Sequence, residues 1–169
     1  MIDRLFVALR AALFGTLFVI FWGWVALSVR RPDSAAVPSA SSGAGAVGAT
    51  ILAIGAMLAL AAIVTFVVRG RGTPAPFDPP RVFVATGPYR FVRNPMYVGG
   101  WLALVGLGVV ERSLAIVVFS LLWLSLAHLF VVSYEERTLA ARFGAEYRDY
   151  CRRVPRWWPV MRTEPRRRS

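Results

Sequence analysis

Four apolar stretches dominate this sequence, and short polar connections separate them. The first stretch, Ala11–Val29, contains no charged residue and is about as long as a bilayer-spanning helix. Three more follow at about 48–68, 96–110 and 114–133. With 57% hydrophobic residues and a mean hydropathy of +0.56, the chain is far more apolar than a soluble domain of its length. The pattern predicts an all-α, polytopic membrane protein with four transmembrane helices.

The net charge of +11 comes entirely from arginine, because the sequence contains no lysine. A charge of this size often indicates nucleic-acid binding. Here most arginines lie at the edges of apolar stretches, where anionic lipid headgroups would meet them. The charge therefore indicates contact with a lipid bilayer and no nucleic-acid partner.

Cys151 and His128 are the only residues of their types. A single cysteine excludes an intramolecular disulfide and a cysteine metal cluster, and a single histidine excludes a multi-histidine site. We therefore expect no metal. We expect His128, in the middle of an apolar stretch, to be a packed and hydrogen-bonded interior group, and Cys151 to be inert.

The chain divides into three parts: 1–72, with two N-terminal helices; 73–159, a core; and 160–169, a basic tail. The first helix is predicted to be a retained anchor, because its apolar run is too long for a signal peptide. Asp33–Val47 has the composition of a flexible loop. Thr73–Arg93 contains five prolines, which argue against a helix there.

The interruption at Glu111–Ser113 is short, so the third and fourth stretches are predicted to form an antiparallel helical hairpin. Beyond it, apolar residues recur at helical spacing and predict an amphipathic C-terminal helix at the membrane surface: Leu139, Phe143, Tyr147 and Tyr150. Arginines concentrate in the N-terminus, the 69–93 connection and the tail. The positive-inside rule then places both termini in the cytoplasm, most simply at a bacterial inner membrane.

The polar and aromatic segment 87–100 lies where the third helix begins. Asn94 before Pro95 is typical of a helix start, with asparagine as the cap and proline in the first turn. The hairpin brings this helix start close to Glu135 and Glu136, at the end of the fourth stretch. Adjacent helical residues point about 100° apart, so one glutamate can face a pocket while the other faces solvent or an arginine. Spacing alone leaves a ligand site and simple interfacial ion pairs equally open.

These residues resemble the superfamily of isoprenylcysteine carboxyl methyltransferases and phospholipid methyltransferases. The likeness covers about 87–159, and the positions that carry it are Gly87-Pro88-Tyr89, Arg93-Asn94-Pro95, Tyr97, Gly99, Glu135-Glu136, Leu139, Phe143-Gly144, Tyr147, Tyr150 and Val154-Pro155-Arg156. The resemblance implies an S-adenosylmethionine-dependent methyltransferase with its cofactor bound within the membrane domain. Asn94 stands where the carboxyl methyltransferases typically have histidine, and Asn-Pro-Met-Tyr resembles the phosphatidylethanolamine enzymes instead.

The resemblance implies a set of cofactor-binding residues: Arg93, Asn94, Pro95, Tyr97, Gly99, Glu135 and Glu136. Arg90 and Arg156 are candidates for contact with the acceptor, and no catalytic base is assigned. The acceptor is expected to be lipid-like or small and membrane-permeable, with a carboxylate, amine or thiol. Two alternatives remain: an NADPH-dependent membrane reductase related to sterol reductases, and a membrane scaffold without catalytic activity.

Overall fold

The computed structural model describes residues 2–30, 42–70 and 82–159, and its regular elements in these ranges are all helical. Five α-helices form the architecture: α1 (Ile2–Ser28), α2 (Ser42–Thr65), α3 (Pro95–Val110), α4 (Leu114–Phe130) and α5 (Glu136–Arg153). Three shorter elements adjoin them: a π turn at Phe66–Gly70, a 3₁₀ helix at Gly87–Arg90 and a π turn at Val131–Glu135. The prediction of an all-α chain is confirmed for the described residues.

Two continuous helices, Gly43–Gly70 and Leu114–Arg153, are long and apolar enough to cross a membrane. Leu13–Ser28 and Pro95–Val110 are apolar but shorter. At 1.5 Å per residue, the 16 residues of α3 extend about 24 Å, less than the roughly 30 Å hydrocarbon layer. The helices therefore indicate a bilayer environment, and the number of spans stays a prediction.

Three predicted boundaries differ from the structure. The loop expected over Asp33–Val47 gives way to helix at Ser42, so its last residues form the first turns of α2; residues 33–41 lie outside the described ranges. The helix of the fourth stretch continues past 133 without a break, because the π turn carries it on into α5. A 3₁₀ helix also forms in the proline-rich connection. Its residues 73–81, and the basic tail 160–169, lie outside the described part of the chain.

Glycines allow α2 and α3 to pack with their backbones in close contact. A Cβ atom at Gly99 would lie 2.5 Å from the backbone nitrogen of Ala59 and 2.6 Å from the carbonyl oxygen of Gly55. Gly106 meets the backbone of Leu52 in the same way. This is the small-residue packing typical of membrane helices, where close approach replaces the hydrophobic driving force.

Replacing Gly99 by Ala is expected to destabilise the protein by about 1–3 kcal/mol, because the added methyl group overlaps backbone atoms that cannot rotate away. Thermal unfolding in detergent, followed by circular dichroism, measures the change. Gly45→Ala in α2 is the matched control, since no atom lies within 4 Å of its added Cβ. Equal melting temperatures for the two variants would contradict the packing role.

Helices α3 and α4 are joined by the turn 111–113 and pack side by side, as the hairpin prediction requires. The small Gly108 lies against Val117 and Ile116 near this turn. Arg30, just after α1, forms a 2.9 Å ion pair with Glu111, just after α3. The C-terminal ends of α1 and α3 therefore meet at the same end of the helix bundle.

The segment before α3 packs against α5 through aromatic rings. Phe83 lies 5.1 Å from Tyr150 and 5.4 Å from Phe143 between ring centroids. Tyr150 also donates a 2.7 Å hydrogen bond from its hydroxyl to the backbone oxygen of Tyr89. The predicted apolar face of α5 therefore packs onto this segment, and Gly144, at φ 54° and ψ −120°, kinks the helix along the way.

Candidate functional site

The first turn of α3 meets the π turn that follows α4 through Tyr97 and Glu135. The hydroxyl of Tyr97 donates a 3.1 Å hydrogen bond to Oε2 of Glu135. The ring of Tyr97 lies between two tryptophans, with centroid distances of 6.2 Å to Trp123 and 6.4 Å to Trp157. One carboxylate is thus bonded to a tyrosine whose ring contacts two tryptophans.

Glu136 has a different environment, although it is the next residue. Both of its oxygens accept hydrogen bonds from Arg156, each at 2.8 Å, in the two-pronged geometry that arginine forms with carboxylates. Arg93 adds a third contact, with Nη1 at 2.8 Å from Oε1. The side chains of Arg93 and Glu136 are only 14% and 18% exposed, so this ion pair is largely shielded from solvent.

The π turn at Val131–Glu135 separates these two carboxylates. Its wider turn is closed by a hydrogen bond from the Glu136 N–H to the Val131 oxygen, five residues back. Glu135 is directed to α3, and Glu136 is directed to the arginines. The expectation that the two glutamates face different surroundings is confirmed by this geometry.

The segment after α5 runs back across the start of α3. The backbone N–H of Arg93 donates to the oxygen of Pro155 at 2.9 Å, and Nδ2 of Asn94 donates to the oxygen of Arg156 at 3.2 Å. Asn94 does occupy the position before the first helical residue, but its side chain caps no backbone N–H. Its amide instead holds the C-terminal segment, which is a correction to the predicted capping role.

Asn94→Asp is expected to loosen this segment, because a carboxylate has no N–H to donate and would repel the oxygen of Arg156. Hydrogen exchange at the Arg93 amide, which donates to Pro155, should become roughly tenfold faster if one hydrogen bond of about 1–1.5 kcal/mol is lost. Asp149→Asn, at an exposed position of α5, is the control and should leave this exchange rate unchanged. An unchanged rate in Asn94→Asp as well would show that the amide does not hold the segment.

Charged partners and burial shift the pKa values of two side chains in and near this site. The hydrogen bonds with Glu136 raise the pKa of the Arg156 guanidinium, which therefore stays positively charged. Burial, with a further contribution from the Glu135 carboxylate, raises the pKa of Tyr89 far above its usual range. Tyr89 is therefore a neutral phenol. Across residues 2–30, 42–70 and 82–159, no three His, Cys, Asp or Glu side chains come together in a way that could hold a metal ion.

We define the polar cluster as the six residues that these contacts bring together: Arg93, Asn94, Tyr97, Glu135, Glu136 and Arg156. Three other predicted site residues lie elsewhere. Pro95 is buried as the first residue of α3, and Gly99 faces the backbone of α2. Arg90 is exposed and lies 5.3 Å over the ring of Phe91, so the structure does not bring it to the polar cluster.

Sequence reasoning missed three residues next to the polar cluster. Trp157 contacts Tyr97 and donates a 3.0 Å hydrogen bond to Nδ1 of His128. His128 is hydrogen-bonded as expected, but it is exposed on α4 and not packed in the interior. Cys151, expected to be inert, lies 3.0 Å from Nη1 of Arg93. The sequence signal that could have indicated Trp157 is the Trp157-Trp158 pair between Pro155 and Pro159, since tryptophans are enriched at membrane interfaces.

An apolar groove of about 400 Å³ lies beside the polar cluster. Residues of α3, α4 and the C-terminal segment line it: Val98, Trp101, Leu124, Ser125, His128, Leu129, Trp157 and Trp158. Trp157 both lines this groove and contacts Tyr97, so this side chain links the groove to the polar cluster.

Comparison with known proteins bears on the part of the chain that contains most of this site. Residues 44–146 match the model of the phospholipid methyltransferase family. The chain is 38% identical over 78 residues to the cobalt-zinc-cadmium resistance protein CzcN of Cupriavidus metallidurans, and 35% identical over 78 residues to the nickel-cobalt-cadmium resistance protein NccN of Alcaligenes xylosoxydans xylosoxydans. Each match covers 46% of this chain and 36% of the relative, so the chain spans about a third of the length of these curated relatives. Because the family model matches well over half of the chain, the protein belongs to the phospholipid methyltransferase family, which suggests a membrane methyltransferase.

Proposed function

We propose that this protein is an integral-membrane methyltransferase that uses S-adenosylmethionine to methylate a lipid-like or small membrane-permeable acceptor. The observation that carries the proposal is the polar cluster, in which Glu135 beside Tyr97 and the Arg93–Glu136–Arg156 ion pairs meet at one end of the hairpin. All but Arg156 lie within the part that matches the family model.

The chemistry of these groups suits the cofactor. Its methionine end carries an ammonium, and the Glu135 carboxylate, which is bonded to the neutral Tyr97 hydroxyl, is suited to that charge. Its carboxylate suits Arg93, whose Nε is buried and without a hydrogen-bond partner in the described part of the chain. The rings of Tyr97, Trp123 and Trp157 suit a sulfonium through cation–π attraction. We propose Arg93, Asn94, Tyr97, Glu135 and Glu136 as the residues that hold it.

When bound, S-adenosylmethionine supplies an activated methyl group, and displacement at that carbon mainly needs alignment and a dry site. The residues of this chain would provide both. Arg156 and Arg93 neutralise Glu136 and fix the C-terminal segment, while the tryptophans exclude water. A carboxylate or thiolate acceptor needs no base, whereas an amine must lose a proton, and we assign no catalytic base.

We further propose a bacterial inner-membrane location with four spans and both termini in the cytoplasm. The Arg30–Glu111 ion pair supports the proposed topology, because the ends of α1 and α3 meet at one end of the helix bundle, as alternating spans would require. The arginine bias supports the orientation. Since the family match begins at residue 44, we propose that α2 also belongs to the catalytic core with residues 73–159.

Calorimetry on the full-length protein in detergent tests the cofactor. We expect S-adenosylhomocysteine to bind and NADPH not to bind. Selective NADPH binding would support a membrane reductase, and binding of neither ligand would support a scaffold. Methyl transfer from radiolabelled S-adenosylmethionine to fractionated membrane lipids and thiols then tests the reaction, and label recovered in no fraction would contradict it.

A further inference from the structure

Trp157 lies in the segment that follows α5, where the described chain is no longer helical. Helix geometry therefore does not set the direction of its side chain. The neighbouring Trp158 turns towards Trp101, with 5.5 Å between ring centroids. Trp157 turns instead towards Tyr97, at 6.4 Å, and towards His128, at 5.8 Å. The orientation of this indole therefore depends on its side-chain contacts.

The contact with His128 is directional. Nε1 of Trp157 donates a 3.0 Å hydrogen bond to Nδ1 of His128, 29 residues earlier in the chain. Because an indole nitrogen is a donor only, Nδ1 is the acceptor and carries no proton. A tryptophan side chain has only two torsions, so a bond at the edge of its ring restricts both. His128 is exposed and could be hydrated without a protein partner, so the bond orients the indole and does not serve to satisfy a buried imidazole.

The same indole belongs to the aromatic side of the proposed cofactor site. Its ring meets Tyr97, whose hydroxyl donates to Glu135. Tyr97 also meets Trp123, at 6.2 Å between centroids. Tyr97 lies in the first turn of α3, and Trp123 is a buried residue of α4, so helices hold both of these rings. Of the three rings, Trp157 is the one outside a helix and the one that needs a separate anchor.

From these contacts we propose that His128 is a positioning residue of the cofactor site, which acts through Trp157 and holds the indole for cation–π contact with the sulfonium of S-adenosylmethionine. The role rests on the proposed methyltransferase function and deepens it, because it adds a residue of α4 that lies outside the polar cluster. A cation is attracted to the face of an indole, so the attraction depends on how the ring is turned. S-adenosylhomocysteine has no charge on its sulfur. Loss of the hydrogen bond should therefore weaken the binding of S-adenosylmethionine alone.

Two substitutions at His128 test the contact without requiring activity. His128→Asn keeps an acceptor oxygen near the position of Nδ1, whereas His128→Leu keeps side-chain bulk without an acceptor. The measurement is indole N–H exchange by NMR on the full-length protein in detergent, with isotope-labelled tryptophan and the Trp157 signal assigned by Trp157→Phe. Exchange at Trp157 should be roughly fivefold faster in His128→Leu, as the loss of one hydrogen bond predicts, and close to the wild-type rate in His128→Asn. An unchanged rate in His128→Leu overturns the proposal.

Calorimetry on the same variants tests the role in binding. In His128→Leu the affinity for S-adenosylmethionine should fall roughly fivefold while that for S-adenosylhomocysteine stays within about twofold, and His128→Asn should restore the first. Ser125→Ala is the matched control, because this residue lies one turn earlier on the same helix and its hydroxyl donates to the backbone oxygen of Leu121. Both affinities should match the wild type there.

The two ligands separate positioning from general damage. Equal losses for both ligands in His128→Leu, or no loss for either, overturn the positioning role. If the wild type binds neither ligand, the methyltransferase proposal fails and this role fails with it. The exchange rates would then still show whether His128 holds Trp157, so the two failures are distinguishable.

Discussion

Replacing Glu135 by Gln is expected to weaken the binding of S-adenosylhomocysteine roughly 10- to 100-fold, because a hydrogen bond to a charged group contributes about 1.5–3 kcal/mol. Glutamine keeps the size of the side chain and can still accept from the Tyr97 hydroxyl, so the local packing should survive. What it loses is the negative charge proposed to meet the cofactor's ammonium. Calorimetry in detergent measures the change.

Glu146→Gln is the matched control, since Glu146 is an exposed carboxylate on α5 and lies away from the polar cluster. Its affinity should equal that of the wild type. Tyr97→Phe should fall between the two, with a loss of roughly fivefold, because it removes one hydrogen bond and keeps the charge. If Glu135→Gln binds as tightly as Glu146→Gln, then Glu135 does not contact the cofactor, and the proposed site must be redrawn.

Glu136→Ala is expected to lower the stability of the fold strongly. The substitution leaves two guanidinium groups without their shared carboxylate, and breaking a buried ion pair by removing one partner costs about 3–5 kcal/mol. We expect the lower end, about 3 kcal/mol, because the Arg156 side chain is still 32% exposed and can be hydrated. The melting temperature should fall by about 6–12 °C for a chain of this size.

The exposed Arg152–Asp149 pair on the same helix provides the comparison. Its side chains are 76% and 54% exposed, and exposed ion pairs contribute little to stability. Asp149→Asn should therefore melt within about 2 °C of the wild type, since it changes the unfolding free energy by less than about 0.5 kcal/mol. A melting temperature for Glu136→Ala no lower than that of Asp149→Asn would show that Glu136 does not stabilise the C-terminal segment.

The meeting of Tyr97 and Glu135 follows from the sequence because the interruption between α3 and α4 is short. A three-residue turn forces the helices to run antiparallel, so the start of the first and the end of the second must be neighbours. Helix periodicity also directs two consecutive glutamates about 100° apart, so one can face a pocket while the other faces an arginine. These inferences need only the length of the turn and the regular spacing of helical residues, and both can be read from the sequence.

Other features depend on contacts that no local pattern records. The predicted cap at Asn94 is replaced by a bond to the carbonyl of Arg156, because the C-terminal segment returns to that point. Gly99 is one of the positions that carry the family resemblance, but the backbone of α2 fills the space beside it. His128 is hydrogen-bonded on an exposed face because Trp157 reaches it from 29 residues along the chain. In each case the deciding contact comes from a segment that is distant in the sequence.

The π turn at Val131–Glu135 also has a consequence for comparing relatives of different length. A π turn accommodates one additional residue while the helices on either side keep their alignment. A relative that lacks one residue between Val131 and Glu135 would therefore keep the register of α5, and with it the carboxylate bonded to the two arginines. The residue before that carboxylate would then lie on a regular α turn, so its direction relative to Tyr97 would change. The length of this stretch should therefore distinguish relatives in which the two carboxylates diverge through a π turn from those in which they follow regular helix spacing.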